Sequence, residues 1–292
     1  MTGPDRRSGF YLVGSAAVLW GLWPLFLRPA GLPGMTSGAL IALAMALSGL
    51  PVQWRNRRRR RPARAWLLMG VCGLLDAGNM GLYFSALRAG PISVAVLSHY
   101  LAPTLAPLFA RLWLGERIGG RTLPAAAGGL AGLALILGPA HSGPGVVPAA
   151  LLGAGSAVFY GALFPVGREL TADFAPLEVQ SYHAYVTAAV LFFLAPPVAV
   201  PARSLGLVVA GALLCAVFAG ALFYEGLGRL AAGRAAVLTY LEPLTATAVG
   251  VFFFHEPLAA LGLLGAALVF GSGALVALAP PSAGELARAP AC

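Results

Sequence analysis

Apolar residues in this chain do not alternate with polar ones. They gather into ten blocks separated by short breaks of Pro, Gly, Arg and other polar residues. A helix needs about 20 mostly apolar residues to cross a hydrocarbon core about 30 Å thick. The blocks run Gly9 to Leu27, Pro33 to Gln53, Trp66 to Leu87, Pro91 to Leu114, Leu123 to Leu137, Val147 to Val166, Leu177 to Val198, Ser204 to Tyr224, Ala235 to Phe254 and Pro257 to Leu278. In lipid every backbone N–H and C=O must be satisfied internally, which leaves helices or closed barrels. A barrel would need short alternating strands, and none are written here. The pattern predicts an all-α integral membrane protein with ten transmembrane helices.

A second pattern overlies the first. His99, Tyr100, Leu101, Ala102, Pro103 is matched 140 residues later by Thr239, Tyr240, Leu241, Glu242, Pro243. The same shift pairs Ala17, Val18, Trp20 and Gly21 with Ala157, Val158, Tyr160 and Gly161, and Glu116 with Glu256. The chain therefore reads as a duplicated unit, 1–140 and 141–292. Five spans per unit is an odd number, so the second copy enters the membrane upside down. Inverted repeats place a substrate site near the midplane between the halves and expose it alternately to each side.

Composition agrees. Of 292 residues, 59% are hydrophobic and only 10% charged, against about a quarter charged in soluble domains. Nineteen basic residues, all Arg, give a net charge of +9. They do not form the solvated basic face that nucleic acid requires, and seven of them crowd into Arg55 to Arg64. With the N-terminus inside, sixteen arginines lie on the inner face, and Arg28, Arg88 and Arg203 lie outside. That asymmetry predicts both termini in the cytoplasm of a plasma membrane of the bacterial inner-membrane kind. Arg6 and Arg7 precede an apolar run with no convincing cleavage site, so the run reads as the first span rather than a signal peptide. Cys72, Cys215 and Cys292 have no disulfide or metal-ligand spacing. No metal or cofactor is expected.

Ionisable groups at bilayer depth are expensive, so each is a candidate for function. They are Asp76, His99 and Glu242, and less securely His183 and Glu225. Asn79 and Tyr83 follow Asp76 at i+3 and i+7 on one helical face, which suits a small, partly polar substrate or a hydrogen-bonded cluster between helices. Pro103 and Pro243 free the carbonyls of His99 and Thr239. The paired kinks would shape the central cavity, with Tyr100 and Tyr240 on substrate, or simply bend their helices. Two readings of Glu242 stand. It relays protons, together with Asp76, or it packs in the small-residue seam Glu242, Ala246, Gly250. Trp20, Trp23 and Tyr160 fit either a cavity lining or an interfacial belt. Glu116 and Glu256 are expected to cap or brace the following helix, and His141 and His255 to be solvated. Gly128 and Gly132 are spaced for close helix contact, including a homodimer contact.

Several strings together resemble the EamA-type members of the drug/metabolite transporter superfamily. They are Val18 to Pro24 (VLWGLWP), Leu82 to Arg88 (LYFSALR), Ser98 to Glu116 ending in LGE, and above all Tyr240 to Pro257 (YLEPLTATAVGVFFFHEP). The resemblance covers essentially the whole chain. It implies two EamA-like five-helix repeats and ATP-independent export of small metabolites, amino acids or drugs. Ala102 in the first copy against Glu242 in the second departs from a symmetric pattern, so any site is lopsided.

An intramembrane enzyme finds no motif here: there is no HExxH, GxSxG or P-loop. A non-transporting scaffold would need neither mid-membrane carboxylates nor paired prolines. The chain is expected to be a secondary transporter of a small-molecule substrate, working within the lipid bilayer.

Overall fold

The computed structural model describes residues 3–90, 92–137, 145–255 and 260–278. All regular structure among them is helical. In chain order the helices are α1 (Gly3–Trp20), α2 (Pro24–Ala30), α3 (Gly34–Ser48), α4 (Leu50–Asn56), α5 (Ala63–Ala89), α6 (Ile92–His99), α7 (Ala102–Leu114) and α8 (Thr122–Leu137). The second copy supplies α9 (Val146–Leu170), α10 (Pro176–Leu194), α11 (Ala202–Gly211), a π-helical stretch (Ala212–Phe218), α12 (Ala219–Leu227), α13 (Ala232–Leu238), α14 (Leu241–Phe254) and α15 (Ala260–Ala277). Among the described residues, six continuous runs are long and apolar enough to cross a membrane. They are Arg7–Ala30, Gly34–Asn56, Ala63–Ala89, Val146–Leu170, Ala202–Leu227 and Ala232–Phe254, with shorter apolar helices at Thr122–Leu135 and Leu261–Leu275. The chain is an integral membrane protein.

Several expected spans are not straight rods. The first bends between Trp20 and Pro24, and the second at Gly49. The fourth breaks after His99 and the ninth after Leu238, in each case just before the paired prolines. Proline tolerates the first turn of a helix but not its interior, so Pro103 and Pro243 open new helices instead of continuing old ones. The freed Thr239 carbonyl is taken up locally by the Glu242 N–H at 3.0 Å. The seventh expected span stops at Leu194, short of Val198. At the ends of α7 and α14 the equivalent residues Gly115 and His255 both turn left-handed, at φ 65° and 55°. Histidine carries a steric cost there that glycine escapes.

The packing repeats with the sequence. Helix α1 lies on α12 as α9 lies on α5, while α3 meets α10, α7 meets α13 and α8 meets α15. One exchange is visible at atomic scale. A methyl group at Gly21 would come within 2.6 Å of the Glu242 carbonyl, and one at Gly161 within 3.3 Å of the Ala102 carbonyl. The 140-residue shift that carries Gly21 onto Gly161 also carries Ala102 onto Glu242, so each half supplies the glycine of one crossing and the carbonyl of the other. The equivalent tyrosines also touch: the Tyr240 hydroxyl donates to the Tyr100 carbonyl at 3.1 Å, and the two rings lie 6.0 Å apart.

Gly128 and Gly132 face α15 of the same chain. A methyl at Gly132 would meet the Gly265 carbonyl at 2.6 Å, and one at Gly128 the Ser272 hydroxyl at 2.9 Å. Within the chain this glycine face is covered by α15. Glu256, His141 and Cys292 lie outside the described residues, whereas Cys72 and Cys215 are buried free thiols.

Candidate functional site

One end of the bundle carries the arginines and is tied together by ions. Arg61 binds both oxygens of Glu178, at 2.8 and 2.7 Å. Arg64 meets Glu169 at 2.6 Å, and Trp113 donates to the other oxygen of Glu169, also at 2.6 Å. Arg168 is paired with Glu116, both buried, and Glu116 also accepts from the N–H of Ala232, the first residue of α13, at 3.1 Å. Glu116 is thus a brace, though across the repeats to α9 and α13 rather than to the next helix. Glu225 pairs with Arg229 at this same end and takes no part in the mid-helix cluster. The opposite end shows a lighter clasp, Arg28 over the Phe254 ring at 4.5 Å.

Helix α5 records what lies between the two ends. One face of it carries Ala65, Leu68, Met69 and Cys72, all at most 6% exposed, within the largest apolar core of the molecule. The same face continues as Asp76, Asn79, Met80 and Tyr83, every one of them half-buried. Along this face of α5 burial is tightest near the arginine-rich end and loosens from Asp76 to Tyr83 before Ala86 is buried again.

At that boundary an aromatic belt crosses the bundle. Trp20 lies 5.0 Å from Phe223, Phe223 5.7 Å from Phe164, Phe164 5.3 Å from Tyr160, and Tyr160 stacks on His99 at 5.0 Å. Tyr83 stacks on the other side of His99 at 4.2 Å, so the imidazole is held between two phenols. Trp20, the last residue of α1, and Tyr160, within α9, belong to this belt. Trp23 packs separately, in the apolar cluster that α2 makes with α11.

Polar groups hang from the belt in two sets. His99 Nδ1 is 2.6 Å from the Ser156 hydroxyl, which in turn donates to Asn79 Oδ1 at 3.3 Å. The Tyr100 hydroxyl is within hydrogen-bonding reach of the Glu242 carboxylate, and the charge of Glu242 also acts on Tyr83, Tyr160 and Cys215. The second set surrounds Asp76. Thr187 donates to its Oδ2 at 3.1 Å, and His183 Nε2 lies 3.6 Å from the same oxygen while His183 Nδ1 sits 2.7 Å from the Val179 carbonyl.

Asp76, Asn79, Tyr83, His99, Tyr100, Tyr160, Trp20 and Glu242 thus gather around one mid-helix region. Tyr240 differs: it is 1% exposed, and its hydroxyl is held by the carbonyls of Tyr100 and Ala126. It braces the wall. The seam expected to involve Glu242 is also resolved into parts. The Glu242 carbonyl and the Ala246 N–H group pack against Gly21, while the carboxyl group stands apart with Tyr100. Sequence reading missed Ser156 and Thr187. Ser156 sits one helical turn before Tyr160, so the face shared with Tyr160 was the signal available.

Known proteins of similar sequence and shape bear on this site. A family model for the EamA-like transporter family matches twice, over residues 7–138 and 147–278. A protein of Archaeoglobus fulgidus described as an uncharacterized transporter is 29% identical over 276 residues, covering 93% of this chain and 96% of that protein. The aromatic amino acid exporter YddG of Ancylobacter novellus is 31% identical over 298 residues, covering 94% and 99%. A solved crystal structure superposes with a TM-score of 0.80 at 25% identity, covering 93% of this chain and 98% of that one. Proteins of this kind move solutes and are not enzymes. The doubled helical repeat and the family match over both of its copies carry one conclusion: the chain belongs to the EamA-like transporter family.

Proposed function

We propose that the protein is a secondary exporter of small solutes bearing an aromatic ring, amino acids among them, and that it works by alternating access between two inverted five-helix repeats. In this reading the bent and broken helices group into ten spans, and the arginine-rich end faces the cytoplasm, as the positive-inside bias favours. The structure is then the state closed to the cytoplasm and open outward. The observation that carries the reading is the single face of α5, shut from Ala65 to Cys72 and accessible from Asp76 to Tyr83, with the aromatic belt at the boundary. The name of the Ancylobacter relative supports the choice of aromatic solutes.

Glu242 and Asp76 are assigned to proton exchange. Both are carboxyl groups within the apolar bundle, Asp76 within α5 and Glu242 in the first turn of α14, and neither is tied to a cation other than His183 beside Asp76. The placement of the Glu242 carboxyl beside the Tyr100 hydroxyl, while its carbonyl packs on Gly21, supports this role over packing. The test is transport by the purified protein in liposomes, with labelled aromatic solutes and an imposed pH gradient. Accumulation above empty vesicles is expected, with gradient-driven accumulation lost in Glu242→Gln. Uptake equal to empty vesicles for every aromatic solute would overturn the reading.

A further inference from the structure

We infer that the arginine-rich end is a docking surface for anionic phospholipid, with headgroup phosphates on Arg55 to Arg60 and acyl chains on the apolar flank beside them. The inference goes beyond the exporter reading: it concerns the lipid around the bundle, not the solute within it.

The first observation is a surplus of charge. At this end Glu116, Glu169, Glu178 and Glu225 are each already paired with an arginine. Arg55, Arg57, Arg58, Arg59 and Arg60 are exposed, and none of them meets a carboxylate among the described residues. Like charges crowded together repel one another, and an anion seated among them relieves that cost. The guanidinium fork also matches phosphate oxygens two at a time.

The second is that these cations stand on a fixed platform. Arg57 lies over the Trp54 ring at 4.1 Å and donates to the Trp54 carbonyl at 2.9 Å. Arg61 clamps Glu178 and donates to the Asp173 carbonyl at 3.1 Å. The segment is tied to the bundle at both of these points, so Arg58, Arg59 and Arg60 are held in one patch between them.

The third observation chooses the partner. Trp54 in the last turn of α4, Trp66 in the first turn of α5 and Trp113 in the last turn of α7 are all exposed. Leu47, Leu67 and Leu112 are exposed close to them in the chain. Indoles gather at the depth where headgroups meet acyl chains, which puts the adjoining arginines at the level of the phosphates. A free anion would use the arginines and leave the indoles and leucines uncovered. A phospholipid covers all three, and clustered arginines next to a span are suited to anionic headgroups.

The purified full chain is titrated in detergent with phosphatidylglycerol and, separately, with phosphatidylcholine of the same acyl chains. Bound lipid is counted by native mass spectrometry, and the thermal midpoint is followed in parallel. Phosphatidylglycerol is expected to be retained at least fivefold better and to raise the midpoint where phosphatidylcholine does not. Combining Arg58→Gln, Arg59→Gln and Arg60→Gln is expected to remove that difference. Equal retention of the two lipids by the wild type would overturn the inference whether or not the variant folds, and so would an undiminished preference in the folded variant. Inorganic phosphate at the same concentration is expected to leave the midpoint unchanged; if it alone reproduces the rise, the patch takes free anions and the lipid proposal fails. Solute export is read separately in liposomes, so either reading can fall without the other.

Discussion

The two ends of this bundle are built from different chemistry. The arginine-rich end is held by ion pairs, two of them almost fully removed from solvent, over a dense apolar core. Beyond Asp76 the facing surfaces are aromatic and polar, with Asp76, Asn79, Tyr83 and Glu242 half-buried around the buried His99, and Arg28 lies over the Phe254 ring at the far end. Buried ion pairs are a costly way to gain stability, because desolvation consumes most of the attraction. They are well suited to a contact that must be either fully made or fully broken. The contrast therefore separates an end tied by ions from an end lined by aromatic and polar groups, which the proposed function reads as latch and receiving site.

The strongest way to break the contrast is Glu116→Gln, which removes the carboxylate facing buried Arg168 and weakens the acceptor for Ala232. The expected loss is about 3–5 kcal/mol, read as a large drop in the thermal midpoint in detergent. A midpoint unchanged within a degree would mean the latch does not hold that end. Next is Tyr240→Phe, which strips one donor from the buried carbonyls of Tyr100 and Ala126 and should cost about 1–3 kcal/mol. Denaturation of this variant tests whether Tyr240 braces the wall; full stability would return it to the substrate site. Ser156→Ala acts in the receiving half. Without its hydrogen-bond partner at Nδ1, His99 is less firmly oriented, and substrate affinity should fall by about 1 kcal/mol, close to fivefold. Equilibrium binding measures it, with stability little altered. The smallest effect is expected from Arg64→Gln. Arg64 is 72% exposed although its partner Glu169 is not, and exposed pairs are worth about 1 kcal/mol at most. A larger loss would extend the latch to the bundle surface.

Much of this was legible in the sequence because membranes tax polarity so heavily. Asp76, His99 and Glu242 stood out as charges among apolar residues, and all three reach the central region. Pro103 and Pro243 marked the two breaks because a missing N–H has the same consequence in any context. Ser156 was not legible, since one serine in an apolar run costs little and gives no signal. The pairing of Glu116 with Arg168, 52 positions apart, depends on how α7 and α9 pack, which no local pattern encodes. Tyr100 and Tyr240 look interchangeable in the repeat. Only Glu242 beside one and the carbonyls around the other divide their roles.

The crossings at Gly21 and Gly161 have a mechanical consequence. At each, the missing side chain lets one helix approach a backbone carbonyl of another, beside Thr245 at Gly21 and beside Leu105 and Phe109 at Gly161. A larger residue at either position would have to push the facing helix away, so both crossings hold two helices at a spacing that only glycine permits.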